Sequence, residues 1–310
     1  MVRYVLNRLL LSIVIIFTIA TLTFWLSRAI PGGPFSRWER PLPPKVIENL
    51  ERKYNLNLPI WQQYLRYMAN VACFDFGVSF TQTETVNEII AQRFPVSFQI
   101  GSCAFLVAIG LGIPLGIASA LKELSLVDNL VKILTTLFIS IPSFVIAAVM
   151  MYFFGIYLGI LPVAMWGTWR HAVMPVMALA ASPMAVIIKY TRASMLEVAD
   201  ADYIRTAKAK GASPFIVTYK HCLKNALLPI LTVAGPMFVS ITVGSFVIEQ
   251  LFGLPGLGQM FTKAILGRDY SMIMGLTIFY AILLIGMTLL VDILYGFVDP
   301  RIRISKETTL

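Results

Sequence analysis

Residues 1–30 read MVRYVLNRLLLSIVIIFTIATLTFWLSRAI. Arg3 and Arg8 open the stretch, and from Leu9 to Ile30 only Arg28 carries a charge. A secretory signal has an apolar core of about 7–15 residues ahead of a small-residue cleavage site. This run is longer and ends in Ser27-Arg28-Ala29-Ile30-Pro31. A run of about 18 or more apolar residues is long enough to cross hydrocarbon as a helix. The stretch is read as an uncleaved first membrane span.

The rest of the chain supports a polytopic membrane protein. It is 58% hydrophobic and 13% charged, with a mean hydropathy of +0.78. Soluble domains carry about 25% charged residues. Five further spans are expected near 96–121, 131–158, 172–194, 227–249 and 272–297, which leaves little of the 310 residues for a soluble domain. Pro114, Pro142, Pro175, Pro183 and Pro236 fall inside them, which membrane helices tolerate when neighbours satisfy the freed backbone groups. Gly112 and Gly116 form a Gly-x-x-x-Gly pair, a close-packing surface for a second helix. Between the first two spans, residues 31–95 are polar and proline-containing. Val46, Ile47, Leu50 and Tyr54, then Ile60, Tyr64, Leu65, Met68 and Val71, mark two short amphipathic helices, whose simplest role is a cap on the membrane surface. Asp75-Phe76-Gly77 spells a kinase letter string without any kinase context.

The net charge of +9 excludes less than it first suggests. No basic patch carries interleaved aromatics, so nucleic acid is not the expected partner; lysines and arginines instead gather on cytoplasmic loops. With the N-terminus inside, the inner segments hold fourteen Lys and Arg residues and the two short outer loops hold three, Arg170, Lys263 and Arg268. Six spans with both termini cytoplasmic satisfy this bias. Cys73, Cys103 and Cys222 fall in separate regions, and His171 and His221 are the only histidines. No disulfide framework or metal site is expected from them, nor is an intramembrane hydrolase, for which no paired carboxylates or Ser-His set is present.

The longest cytoplasmic loop, roughly 195–226, contains YIRTAKAKGASP at residues 203–214. Glu197 to Lys210 favours helix. Gly211 supplies a left-handed stop, Ser213 a cap and Pro214 a first helical residue. A second helix is expected from about Pro214 to Asn225, before Pro229 opens the fifth span. Tyr203, Ala207 and Gly211 lie four apart on one stripe. Taken alone, that stripe fits either a solvated hairpin or a small-residue face that another surface can approach closely.

Residues 203–211, Tyr-Ile-Arg-Thr-Ala-Lys-Ala-Lys-Gly, resemble the cytoplasmic "EAA" loop of ATP-binding-cassette (ABC) importer permeases in its peptide-importer form. They depart from the sugar-importer form, which has Glu-Ala-Ala at the positions of Arg205-Thr206-Ala207. PGGPF, LPPKVIENLERKYNLNLPI, DFGVSF, FPVS, IPSFV, NALLPIL, GSFVIEQLFGLPGLGQ, RDYS and VDPRIR extend the likeness over nearly the whole chain. Within the oligopeptide/dipeptide/nickel family they resemble the oligopeptide B-subunit form. Dipeptide and nickel relatives usually carry Asp where Gly33 stands.

The resemblance implies an all-α, type I ABC importer permease in a bacterial cytoplasmic (inner) membrane. It implies a second homologous permease subunit as heterodimer partner, two ABC ATPase subunits and an extracytoplasmic peptide-binding protein. No cofactor is expected on this chain, which has no Gly-x-x-x-x-Gly-Lys-Ser/Thr loop; ATP and Mg belong to the ATPases. Tyr203, Thr206, Ala207, Lys208, Ala209, Lys210 and Gly211 are the implied ATPase-coupling residues. The implied segments are 1–30, an extracytoplasmic helical segment 31–95, a five-helix core 96–298 holding the 195–226 loop, and a tail 299–310. Ser140, Pro142, Ser143, Gly235, Pro236 and Gly244 are candidates for the path or gate, with helix packing as the other reading. Glu249, near the outer end of the fifth span, is a candidate partner contact or a plain interface charge, and Asp292 is an ionisable residue inside the last span. Dipeptide, antimicrobial-peptide or nickel import are alternatives within the family. An ion-coupled secondary transporter is the alternative outside it, a design that usually needs several buried carboxylates or broken helices at the midplane, of which Asp292 alone loosely qualifies.

Overall fold

The structure, a computed structural model, describes residues 2–29, 35, 43–243 and 245–298. Its helices are α1 (Val2–Ala29), α2 (Pro44–Lys53), α3 (Ile60–Ala72), α4 (Val86–Leu121), α5 (Leu126–Ser140), α6 (Ser143–Met150) with a π-helical continuation Met151–Tyr157, α7 (Trp169–Ala199), α8 (Asp202–Ala209), α9 (Pro214–Ile216) with a π-helical stretch Val217–Cys222, α10 (Leu223–Thr242), α11 (Phe246–Phe252), α12 (Leu257–Gly267) and α13 (Tyr270–Val298). Among the described residues the only β-pairing is an isolated bridge, Val78 with Thr85. Among the described residues, four helices are long and apolar enough to cross a bilayer, and two bent pairs bring the number to as many as six when each pair counts as one span.

Two expected spans are not single rods. The stretch 131–158 breaks between α5 and α6 with a bend of 103°. Pro142 has no N–H, and it holds the preceding residue out of the helical region; Ile141 is extended at φ −89°, ψ 123°. The fifth expected span, 227–249, ends at Thr242, and Ser245 caps a separate helix, its side chain accepting from the Ile248 N–H at 3.4 Å. Upstream, Pro229, expected to open the fifth span, lies inside α10 at the point where the helical path bends. The helical path runs from Pro214 through the π-helical stretch into α10, with a bend of 55°.

The chain divides into two compact units. One comprises Met1–Pro95 with Gly256–Gly286, the other Val96–Pro255 with Met287–Leu310. In the first, Val86, Ile89 and Ile90 pack with Leu257, Met260, Ala264, Met272 and Leu276. The two amphipathic helices form as their spacing predicts. Tyr64 of α3 shares a 2.8 Å hydrogen bond with Thr21 of α1, and its ring meets Phe24 edge-on. Asp269, fully buried, caps α13 through Oδ1, which accepts from the Met272 N–H. Its Oδ2 accepts from the Ser79 and Thr81 hydroxyls and from the Phe80 and Thr81 N–H groups, so one carboxylate fixes the turn 79–81.

The second unit is built around α7. Met174, Ala178, Met184, Ile187 and Ile188 join Ile100, Ala104 and Ala108 of α4, Val131 of α5, Ala147 of α6 and Ile248 of α11 in one core. At the Gly-x-x-x-Gly pair α4 lies close against α7. A Cβ at Gly112 would stand 2.8 Å from Ile187 Cγ2, and one at Gly116 2.5 Å from Thr191 Cβ and 2.9 Å from the Ile188 carbonyl. A Cβ at Gly110 would meet nothing within 4 Å. Gly116→Ala is therefore expected to cost about 1–3 kcal/mol through forced separation of the two helices. Gly110→Ala should leave stability unchanged or raise it. Thermal unfolding in detergent tests the contrast, and equal melting temperatures would contradict it.

Candidate functional site

The hairpin Asp202–Cys222 is built by local rules. The expected helix from Glu197 is interrupted at Asp200 and Ala201: Asp200 closes α7, and Ala201 turns extended at φ −67°, ψ 145° before α8 begins. At the far end Lys210 is the last half-helical residue and Gly211 adopts φ +79°. The Gly211 N–H bonds the Lys208 carbonyl at 3.0 Å and the Ala212 N–H bonds the Ala207 carbonyl at 3.2 Å. These paired 5→2 and 6→1 bonds are a Schellman stop. Two residues later the Ser213 side chain accepts from the Ile216 N–H at 3.4 Å, and Pro214 takes the first helical position. The direction of the chain reverses within a few residues, with the orphan backbone groups satisfied at both helix ends.

Packing decides which side faces out. Ile204 is fully buried, clustered with Ile117 of α4, Met195 of α7, Val217, Cys222 and Ala226, and flanked by Ala201 and Ala212. The stripe singled out in the sequence lies elsewhere: Ala207 is half-buried, while Tyr203 and Gly211 are exposed, as are Thr206, Lys208, Ala209 and Lys210. Phe215 is 69% exposed and Tyr219 48%, their rings 4.5 Å apart. Asn225 Nδ2 donates to the Tyr203 hydroxyl at 2.8 Å, tying the two arms together. Tyr203, Phe215 and Tyr219 thus leave aromatic surface uncovered on a small, well-anchored element. Beneath it lies a cavity of about 280 Å³ lined by Leu121, Met195, Ala199, Ile204 and Val217 among others.

The other candidates are placed apart from this surface. Ser140 and Pro142 are exposed and Ser143 half-buried at the break between α5 and α6. Gly235 is buried in α10 and Pro236 exposed. Gly244 lies outside the described residues, as does the side chain of Asp292. Glu249, the candidate partner contact or interface charge, does not lie on the fifth span's helix, which ends at Thr242. It sits on the separate helix α11, 2% exposed, with Oε1 accepting from the Ser97 hydroxyl of α4 at 2.7 Å. Its carboxylate is turned into the chain.

Sequence reasoning passed over the most heavily bonded carboxylate in this unit. Asp128 of α5 is fully buried. Oδ1 accepts from Arg192 Nε of α7 at 2.8 Å and from the Ser119 hydroxyl of α4 at 2.5 Å. Oδ2 accepts from Arg192 Nη2 at 3.0 Å and the Leu124 N–H at 3.0 Å, and Lys132 Nζ stands 2.7 Å away. The legible signal was local: Ser125, three residues ahead of Asp128, is its helix cap, and Lys132 lies one turn on. Arg192 was visible only as one positive charge among many. Among the described residues no group of three His, Cys, Asp or Glu side chains could hold a metal ion.

A family model described as "Binding-protein-dependent transport system inner membrane component" matches residues 112–304. The chain belongs to that family. A companion model for the N-terminal part of such membrane components matches residues 1–101. This inner-membrane component is 44% identical to a dipeptide transport system permease, DppB, of Bacillus subtilis, over 99% of this chain and 100% of that one. It is 44% identical to the oligopeptide transport system permease OppB of Haemophilus influenzae over 98% and 100%, and 42% identical to OppB of Escherichia coli K12 over the same shares. Among solved structures, an inward-facing MetNI methionine ABC transporter superposes with a TM-score of 0.57 at 17% identity, covering 68% of this chain and 96% of that one. The fold is that of an ABC importer permease, in a multi-pass protein of the bacterial inner membrane.

For this permease the positive φ of Gly211 is a backbone demand. A Cβ there would meet no atom within 4 Å, so any cost of Gly211→Ala arises from the left-handed conformation alone. We predict a loss of about 1–2 kcal/mol of local stability, with Gly211→Asn milder because its side chain tolerates that region. Hydrogen exchange of the Gly211 and Ala212 amides measures it, and equal protection in all three proteins would contradict it.

Proposed function

We propose that this permease is one of two homologous subunits that enclose the path of an ATP-driven oligopeptide importer. An extracytoplasmic binding protein delivers the peptide, and two ABC ATPases supply the work. In this reading both termini and the 195–226 hairpin face the cytoplasm, residues 31–95 face outward, and the break at Ser140, Pro142 and Ser143 belongs to the path. The chain itself binds no nucleotide; ATP and Mg stay on the ATPase subunits. Full-length identity of 44% to peptide permeases supports the substrate class. The observation that carries the coupling role is the outward face of the hairpin. Tyr203, Thr206, Ala207, Lys208, Ala209, Lys210 and Gly211 lie on an element whose opposite side, at Ile204, is locked to the ends of α4 and α7. A push on such an element reaches those helices.

Reconstitution of the full complex in proteoliposomes tests this. Peptide uptake should stop on ATP depletion and survive collapse of the proton gradient; the opposite pattern would indicate an ion-coupled transporter. Gly211→Asp should insert normally but transport at least about tenfold more slowly, equivalent to ~1.4 kcal/mol. Normal transport by that variant would remove the docking role. A second reading, dipeptide import, has the Bacillus subtilis relative in its favour. Competition between unlabelled dipeptides and pentapeptides separates the two.

A further inference from the structure

We propose that Asp128 is a positioning residue for transport, holding the ends of α4, α5 and α7 as one body so that motion of the hairpin reaches the proline break in α5. This rests on the docking role proposed above for the hairpin.

Three helices meet at this carboxylate. Ser119 brings α4, Arg192 brings α7 through both Nε and Nη2, and Lys132 with the capping Ser125 fixes the start of α5. The Leu124 N–H closes the connecting turn onto the same oxygen pair. The carboxylate is fully buried, while Arg192 and Lys132 keep part of their length exposed. Bonds of this kind are short-ranged and geometrically specific, and a two-point guanidinium contact fixes orientation as well as distance.

The position of this junction gives it a mechanical role. The hairpin rests on Ile117 of α4 and Met195 of α7, two residues before Ser119 and three after Arg192. It makes its apolar contacts with α4 and α7, whereas the break at Ile141 and Pro142 lies at the other end of α5. Force applied to the hairpin enters through α4 and α7. Polar contacts that pass it to α5 at this end converge on Asp128. Apolar packing of α5 against α7, at Val131 and along the shared core, keeps the two helices side by side; the bonds at Asp128 add an orientation-specific restraint at this end. Beside the junction, Ser119, Thr135, Lys132, Lys189 and Arg192 line a cavity of about 230 Å³. Side-chain packing there is incomplete, which places more of the restraint on the ionic bonds.

The test compares whole complexes with their ATPases and binding protein in proteoliposomes, reading peptides imported per ATP hydrolysed. Asp128→Asn leaves Lys132 and Arg192 facing a neutral amide; Ser119→Ala removes the α4 contact alone; Asp128→Asn with Arg192→Gln removes the carboxylate and the guanidinium together, leaving the half-exposed Lys132 to solvent. The expected result is that Ser119→Ala and the double variant assemble with their ATPases and hydrolyse ATP, with the peptide-to-ATP ratio lowered about tenfold or more, equivalent to ~1.4 kcal/mol. Asp128→Glu should recover part of the ratio. A role confined to stability would lower the yield of complex and leave the ratio per complex untouched, and that result overturns the proposal. ATPases that still bind and couple when Tyr203 and Gly211 are altered would overturn the docking role instead, and this proposal with it.

Discussion

At Gly112 and Gly116, α4 comes so near to α7 that a single methyl group would stand inside the contact distance of Ile187 or Thr191. Where lipid is as apolar as leucine, helices gain little by hiding oily side chains from each other; close backbone approach and good packing hold them together. The share of each candidate span that is buried makes the point: 56% of the best window in α7 but 17% in α1. α7 is therefore the helix against which α4, α5, α6 and α10 are placed. Small residues of the same core, Ala104, Ala108 and Ala178 among them, leave room for the branched side chains Ile187 and Ile188.

Much of this was legible in the amino-acid order. Apolar run length located the long apolar helices α1, α4, α7 and α13, and the spacing of Tyr64 and Val71 gave α3. The glycine, serine and proline at 211, 213 and 214 gave the reversal, because each of those residues has one dominant backbone use. What failed were continuity and partners. Run length cannot tell a straight helix from two that meet at 103°, since Pro142 is compatible with a kinked span or a full break. Nor can it see that Ser245 starts a new helix, which carries Glu249 to the Ser97 hydroxyl. The Asp128 junction depends on Ser119 and Arg192, which stand 9 and 64 residues away; no local pattern joins them.

Charge placement divides by purpose. In the first unit, one buried carboxylate, Asp269, fastens a turn by accepting from two hydroxyls and three amides without any cation among these contacts. In the second, Asp128 is held between a lysine and an arginine. Amide-bound carboxylates suit a fixed turn, since the donors are part of the backbone. A carboxylate shared by side chains from three helices joins elements that are otherwise separate in sequence, and it holds only while those elements keep their relative positions.

The outward hairpin also sets terms for how the chain can exist in a cell. Tyr203, Phe215, Ile216 and Tyr219 form an exposed aromatic and aliphatic surface on a firmly built support. Uncovered apolar surface of this kind favours aggregation and proteolytic recognition, so the chemistry of this one loop bears on the lifetime of the chain as well as on its contacts.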